Sequence, residues 1–430
     1  MKNNKFKTTL KKPIVDRFFE RAYLVVCVFF TLLGLSTSAN ASELSLQEAI
    51  TKTLEQHPEL TIFNYEIQAQ KGRATQAELS PKPELQFTLE DAFGSGVHSG
   101  VDSAQATLSV SWILENNLKQ ERINVASKGF TLIDSKKTIK QFDVATQTTR
   151  FYLQALYLQE AMKIAQRSIK LAEQTVNELN KRISLGRSPT AELYRAQAEL
   201  SNRKMDLVDL KHEHLSALHQ LAAQWGSSQP DFMSVSGDLK NITSLNSFEN
   251  LKQRLRNNPE FVRYHAKEKV QQAELKLAQE QQSPRWQFST GLRRYERTDD
   301  YGVVASFSIP FGGSNNNQGN IAQANAAILM NQAEMDAFEI QLESQLFVEF
   351  QNYQHSIHLR ELLAQNIIPK LEKALKETQK IYESGKYSYL DWRDVQNELL
   401  NAQSKLLNTQ YKAHINLLSI ERITGSVINN

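Results

Sequence analysis

Four short segments of the chain alternate hydrophobic and polar residues, the pattern of β-strands whose two faces meet different surroundings. They fall within residues 85–90, 104–112, 286–293 and 301–311. The second shows the pattern most clearly, with one face made of Ala104, Ala106, Leu108, Val110 and Trp112. With their flanking residues these segments reach about 9–12 residues each, enough to cross a bilayer as tilted strands. The alternative is two hairpins that pack on helices in a water-soluble protein.

The residues between these segments repeat hydrophobic positions in alternating steps of four and three, which indicates a coiled-coil seam. In the first half the seam consists of Phe151, Ala155, Leu158, Met162, Ala165, Ile169, Ala172, Val176, Leu179 and Ile183. We expect one helix from about Gln120 to Ile183, about 95 Å long. Helices near residues 45–79 and 190–225 together have a similar length.

Short motifs recur in the same order at a spacing of about 200 residues. His57-Pro58-Glu59 corresponds to Asn258-Pro259-Glu260, and Leu185-Gly186 corresponds to Ser384-Gly385. This repetition predicts two structural repeats, residues 42–246 and 247–430, each running helix, two strands, long helix, turn, helix. The predicted fold is therefore mainly α-helical with a small β part.

Four strands are too few to close a barrel with an interior, and an open sheet leaves unpaired backbone groups at both edges. In lipid each unpaired group costs several kcal/mol. If the strands cross a membrane, several copies must pool them into eight, twelve or sixteen. The pattern alone does not choose among these numbers.

The N-terminal residues predict an export signal, residues 1–41. Seven Lys and Arg precede an uncharged apolar run of about 14 residues, too short for a spanning helix, and Ala39-Asn40-Ala41 fits a cleavage site. The only cysteine, Cys27, lies in this run, which excludes a disulfide framework in the exported chain.

Composition excludes several functions. The net charge is +3, of which residues 1–21 contribute +5, so the remainder carries −2 and lacks the basic surface that nucleic acid requires. His212, His214 and His219 cluster, as do His355 and His358, but neither set supplies the ligands of a closed metal site. The sequence contains none of the common hydrolase, P-loop or metalloprotease motifs. We expect no enzyme activity, cofactor or bound metal.

Taken together, the motifs resemble the TolC family of outer-membrane efflux channels over essentially the whole exported chain. The resemblance rests on Leu44 to Ile50, on the two Pro-Glu sites, on Ile309-Pro310-Phe311, on the region from Pro369 to Gln396, and on Ile423-Thr424-Gly425. Phe93 to Gly96, Gln318 to Ile321 and the run from Leu114 to Arg122 also resemble the heavy-metal (cobalt–zinc–cadmium) branch of that family.

The resemblance implies a homotrimer in outer-membrane lipid, with a twelve-strand barrel and a helical tunnel across the periplasm. It also implies a periplasmic adaptor that links the channel to an inner-membrane pump of the RND type. The channel would be a passive exit that exports heavy-metal cations or small toxic compounds.

The resemblance further implies a gate at the tips of the helical hairpins. Its residues would be Glu192, Tyr382, Asp391 and Asp394, with a latching hydrogen bond from the Tyr382 hydroxyl to the Glu192 carboxylate. The position of the family's gating arginine holds Tyr387 here. The surface offered to the adaptor would comprise Leu185, Gly186, Arg187, Ser188, Gly385, Lys386 and Tyr387.

The competing interpretation is a soluble periplasmic coiled-coil scaffold or adaptor. It explains the helical seams but not the duplicated plan with two alternating strands in each half.

Overall fold

The computed structural model describes residues 42–115, 117–245, 247–311 and 316–425. The predicted export signal lies outside the described residues. The strands are β1 Ser42–Leu44, β2 Glu84–Glu90, β3 Gln105–Leu114, β4 Phe232–Val235, β5 Trp286–Tyr295 and β6 Asp300–Ser308. The helices are α1 Leu46–Gln56, α2 Pro58–Ala77, α3 Leu118–Ser184, α4 Thr190–Ala222, α5 Phe248–Gln253, α6 Pro259–Glu280, α7 Gln318–Glu361, α8 Ile368–Glu383 and α9 Tyr389–Thr424.

The four alternating segments form one antiparallel sheet in the order β2-β3-β5-β6. Its register places Phe87 beside Leu108, Leu108 beside Leu292, and Leu292 beside Val303, so one face is apolar across all four strands. The large side chains of this face are solvent-exposed in the single chain, among them Leu85, Phe87, Leu108, Leu292, Val303 and Phe307. The predicted strands are confirmed, although β6 ends at Ser308, before Pro310, which has no N–H to donate.

The opposite face of the sheet is polar and is held together by Arg293 of β5. Its guanidinium donates to the Thr107 hydroxyl (2.9 Å) and the Gln105 amide oxygen (3.0 Å) on β3, and to the Glu90 carboxylate (2.8 Å) on β2. One side chain therefore connects three strands.

Helix α3 runs for 67 residues, about 100 Å at 1.5 Å per residue. None of the ten predicted seam positions from Phe151 to Ile183 is exposed, and Ala155 and Leu179 are fully buried. The helix predicted over residues 45–79 is instead two helices, because His57 leaves the helical conformation before Pro58. No helix in the described part of the chain is both long enough and apolar enough to cross a membrane.

A second, two-stranded sheet pairs β1 with β4, and β4 lies in the connection between the two halves. Tyr152 on α3 donates a hydrogen bond from its hydroxyl to the Leu44 carbonyl (3.0 Å) and contacts the Ser236 carbonyl. In the second half the Tyr353 hydroxyl donates to the Thr243 carbonyl (2.5 Å) in the same way. In each half, a tyrosine on a long helix thus holds a non-helical segment in place by hydrogen bonds to its backbone carbonyls.

The two halves repeat individual contacts as well as elements. The Gln70 side-chain amide donates to the Ala126 carbonyl (2.6 Å), and the Gln271 amide donates to the Ala327 carbonyl (3.1 Å), each across 56 positions. The side chains of His57 and Asn258 both cap a helix that begins with proline.

The last helical segment of each repeat ends at a glycine whose backbone is left-handed, Gly226 (φ +75°) and Gly425 (φ +64°). They differ in the space around them. A Cβ at Gly425 would lie 2.3 Å from the Asn257 carbonyl oxygen, whereas a Cβ at Gly226 would meet nothing nearer than 3.6 Å.

Alanine at these two glycines is therefore expected to have unequal effects. Gly226→Ala adds only the left-handed strain of about 1–2 kcal/mol. Gly425→Ala adds the same strain and a backbone clash, a further ~1–3 kcal/mol. Thermal melting of the two purified variants measures the difference. Equal melting temperatures would contradict the close approach of Asn257 to Gly425.

The two long hairpins differ in one respect that the sequence anticipates. Six residues, Leu362–Ile367, form a π-helical segment immediately before α8, whose first turn contains Pro369. Since proline donates no backbone hydrogen bond, the helix changes register there instead of continuing as a regular α-helix. A proline in the second long helix with no counterpart in the first predicts a kink or register change, and the structure shows the register change at this point.

Candidate functional site

The tips of the two helical hairpins are formed by matching turns. At the first, the Arg187 N–H donates to the Arg182 carbonyl (2.8 Å) and the Gly186 N–H to the Ile183 carbonyl (2.9 Å). At the second, the Lys386 N–H donates to the Ile381 carbonyl (3.2 Å) and the Gly385 N–H to the Tyr382 carbonyl (2.9 Å). Both are Schellman motifs, which need a left-handed residue where Gly186 (φ +68°) and Gly385 (φ +80°) stand.

The residues predicted to face a partner are accessible in the chain. Leu185 is 65% exposed and Tyr387 is 46% exposed. Gly186, Arg187, Gly385 and Lys386 are also exposed, and Ser188 is half-buried. Leu185 and Tyr387 therefore present large side chains to solvent, one at each tip.

One hydrophobic cluster holds the two tips together. It contains Leu179 of α3, Ala196 of α4, Tyr382 of α8, and Tyr389 and Trp392 of α9. The rings of Tyr382 and Trp392 stack with centroids 4.9 Å apart and planes 19° apart. All four helices of the tips therefore meet in the same small core.

Tyr382 lies in this core, only 2% exposed. Burial raises the pKa of its hydroxyl, so the hydroxyl stays protonated. The hydrogen bond predicted from this hydroxyl to Glu192 is absent from the structure, where the Tyr382 hydroxyl has no hydrogen-bond partner. Glu192 instead occupies the first turn of α4, half-buried.

The partner of Tyr382 is Arg182, which belongs to none of the sequence motifs. The Arg182 guanidinium lies 4.3 Å from the centre of the tyrosine ring and donates to the Tyr382 carbonyl (2.7 Å). Neither contact has a sequence signal, because each depends on the register between helices that are distant along the chain.

The two predicted gate aspartates are exposed but differ in their surroundings. Asp391 forms a capping box with Ser388: its carboxylate accepts from the Ser388 N–H (3.0 Å) and hydroxyl (2.7 Å). These hydrogen bonds lower the pKa of Asp391, which stays ionised and caps the first turn of α9. Asp394 accepts from the neighbouring Arg393 at 2.7 Å.

A buried arginine lies farther along the same bundle. Arg203 of α4 is 6% exposed and donates to the Glu199 carboxylate (3.0 Å), to the Ser168 hydroxyl (2.7 Å) and carbonyl (3.1 Å) of α3, and to the Asn397 amide oxygen (2.8 Å) of α9. The heptad spacing Ala196, Arg203, Leu210, Ala217 was the signal that could have revealed it.

The described residues contain no group of three or more His, Cys, Asp and Glu side chains arranged to hold a metal ion. The tips are two hydrogen-bonded turns with apolar and cationic side chains outside and an aromatic core inside.

A family model described as "Outer membrane efflux protein" matches residues 49–227 and 250–426, once in each half of the chain. The chain belongs to this family. It is an outer-membrane efflux channel protein, and the resemblance drawn from the sequence motifs is confirmed.

Among curated proteins, the cobalt-zinc-cadmium resistance protein CzcC of Cupriavidus metallidurans is 25% identical over 385 residues, which cover 90% of this chain and 91% of CzcC.

Solved structures of efflux-family channels share the fold. A CusC structure has a TM-score of 0.72 at 15% identity, covering 89% of this chain and 92% of its own. The outer-membrane protein VceC of Vibrio cholerae has a TM-score of 0.71 at 16% identity, covering 89% and 97%. The open-state MtrE channel of Neisseria gonorrhoeae has a TM-score of 0.70 at 15% identity, covering 89% of each chain. The predicted fold class is confirmed.

Proposed function

We propose that three copies of this chain form one continuous outer-membrane channel, which docks to a periplasmic adaptor and so to an inner-membrane pump of the RND type. The observation that carries the proposal is the four-stranded sheet with an exposed apolar face, whose edge strands β2 and β6 have no further pairing partner among the described residues. Such a sheet is stable in lipid only when its edges pair with further strands. Three chains would supply twelve.

Helix α4 also exposes apolar side chains that a neighbouring copy would cover. On α4, Tyr194, Val208 and Leu215 share one heptad stripe and are about half-exposed or more in the single chain. A neighbouring copy would bury this stripe while the sheets join edge to edge. Residues 42–246 and 247–430 would act as two equivalent repeats in the assembled wall.

We place the periplasmic gate at Glu192, Tyr382, Asp391 and Asp394 and the adaptor contacts at Leu185, Gly186, Arg187, Ser188, Gly385, Lys386 and Tyr387. The proximity of both turns in one core supports this placement. In such a channel the protein supplies a route and no catalytic step.

The cargo we propose is heavy-metal cations. The name of the CzcC relative, which matches over nine-tenths of both chains, supports this class. Three copies of the exposed, ionised Asp391 around a narrow mouth would attract cations.

Deleting the gene is expected to sensitise cells to cobalt, zinc and cadmium, and a plasmid copy is expected to restore tolerance. Sensitivity to detergents and dyes with unchanged metal tolerance would contradict the cargo but not the channel. A protein that leaves the membrane pellet in a carbonate wash would contradict the channel and favour the soluble scaffold.

A further inference from the structure

Arg182 takes part in both hairpin tips at once. Its backbone carbonyl accepts the Arg187 N–H (2.8 Å), the bond that closes the first turn. Its side chain donates to the Tyr382 carbonyl (2.7 Å), which also accepts the Gly385 N–H (2.9 Å) that closes the second turn. The same residue therefore belongs to the hydrogen bonding of two turns far apart in the sequence.

The Tyr382 ring contacts both the Arg182 guanidinium and the Trp392 ring. The Arg182 guanidinium lies over one face of the Tyr382 ring at 4.3 Å, and the Trp392 ring stacks on Tyr382 at 4.9 Å. A planar guanidinium can stack and donate hydrogen bonds simultaneously, which an ammonium group cannot do. Tyr382 and Trp392 are almost fully buried, so the stack is shielded from water, where cation–π contacts are strongest.

We infer that Arg182 is a positioning residue that makes the two tips of one chain move as a single body. This inference rests on the proposed gate and docking surface at the tips. The two hairpins differ at the π-helical segment before Pro369, which would otherwise let the second hairpin bend independently of the first. With Arg182 in place, a partner that displaces either turn also displaces the other.

Distances between spin labels test the inference directly. The exported chain contains no cysteine, so labels can be attached at Arg187→Cys and Lys386→Cys, one on each exposed tip. Labelled chains are diluted in an excess of unlabelled chains, so that the measured distance lies within one copy. With Arg182 intact we expect one narrow distance distribution.

Arg182→Ala is expected to lose that single narrow distribution, and Arg182→Lys to recover it only in part, since lysine can donate but cannot stack. Arg167→Ala, an exposed arginine on the same helix, is the matched control and is expected to leave the distribution unchanged. If Arg182→Ala keeps the melting temperature of the unmodified chain, a broadened distribution reflects lost coupling between the tips and not unfolding. If this variant unfolds, Arg182→Lys carries the test.

A distribution in Arg182→Ala as narrow as in the unmodified chain would overturn the inference. So would equal broadening by Arg167→Ala. The measurement needs no conduction, so a chain that never forms a pore in planar bilayers would count against the proposed function alone. When the channel does conduct, Arg182→Ala is expected to raise its open probability relative to Arg167→Ala.

Discussion

Leu292→Arg is expected to prevent assembly in the outer membrane. Leu292 is 62% exposed in the single chain and lies between Leu108 and Val303 on the apolar face of the sheet. An arginine on the lipid face of a membrane barrel costs about 2–4 kcal/mol near the midplane. Three copies in one barrel would multiply this cost. Immunoblots of outer-membrane fractions, run without heating to preserve the oligomer, measure the loss.

Gln86→Arg is the matched control, because Gln86 lies on the polar face of β2, an edge strand of the same sheet, and is also exposed. We expect this variant to assemble normally. Equal loss of both variants would mean that any added charge disrupts the sheet. Normal assembly of Leu292→Arg would place the apolar face against something other than lipid.

Arg203→Ala is expected to lower the thermal stability of the tunnel bundle strongly. The substitution leaves the Ser168 hydroxyl, the Glu199 carboxylate and the Asn397 amide oxygen without their donor, at a buried position shared by α3, α4 and α9. Breaking a fully buried ion pair costs roughly 3–5 kcal/mol. Because the Glu199 side chain is 33% exposed, we expect a loss at the lower end of that range. Melting followed by circular dichroism in detergent gives the shift.

Arg195→Ala serves as the control for this experiment, since Arg195 is an exposed arginine on the same helix α4. Its melting temperature should match that of the unmodified protein. If both variants melt alike, the buried contacts of Arg203 add no stability to the bundle.

The secondary-structure elements of this fold can be predicted from the sequence better than the contacts between them. Strand alternation and the seam from Phe151 to Ile183 are local, so they predicted the sheet and α3 closely. Gly186 and Gly385 revealed the turns because left-handed backbone favours glycine. Strands β1 and β4 were missed, since three or four residues are too few to show a period.

In the candidate site, too, the positions of the residues were predictable from the sequence and their contacts were not. The positions of Tyr382, Asp391 and Glu192 followed from motif resemblance, but their bonding did not. The structure does not contain the latch predicted between Tyr382 and Glu192. Tyr382 instead contacts Arg182, which reaches it only because the C-terminal ends of α3 and α8 come together in the core of the tips. That adjacency is a property of the folded chain, and no spacing rule within either helix encodes it.

The matched contacts of Gln70 and Gln271, and of Tyr152 and Tyr353, have a geometric consequence for any ring built from this chain. Because the two halves are near-copies, a threefold ring would display pseudo-sixfold symmetry. A periplasmic protein that recognises features common to both tips could then occupy six quasi-equivalent positions around it. A protein that distinguishes the first tip, with Arg187, from the second tip, with Lys386, would occupy only three equivalent positions.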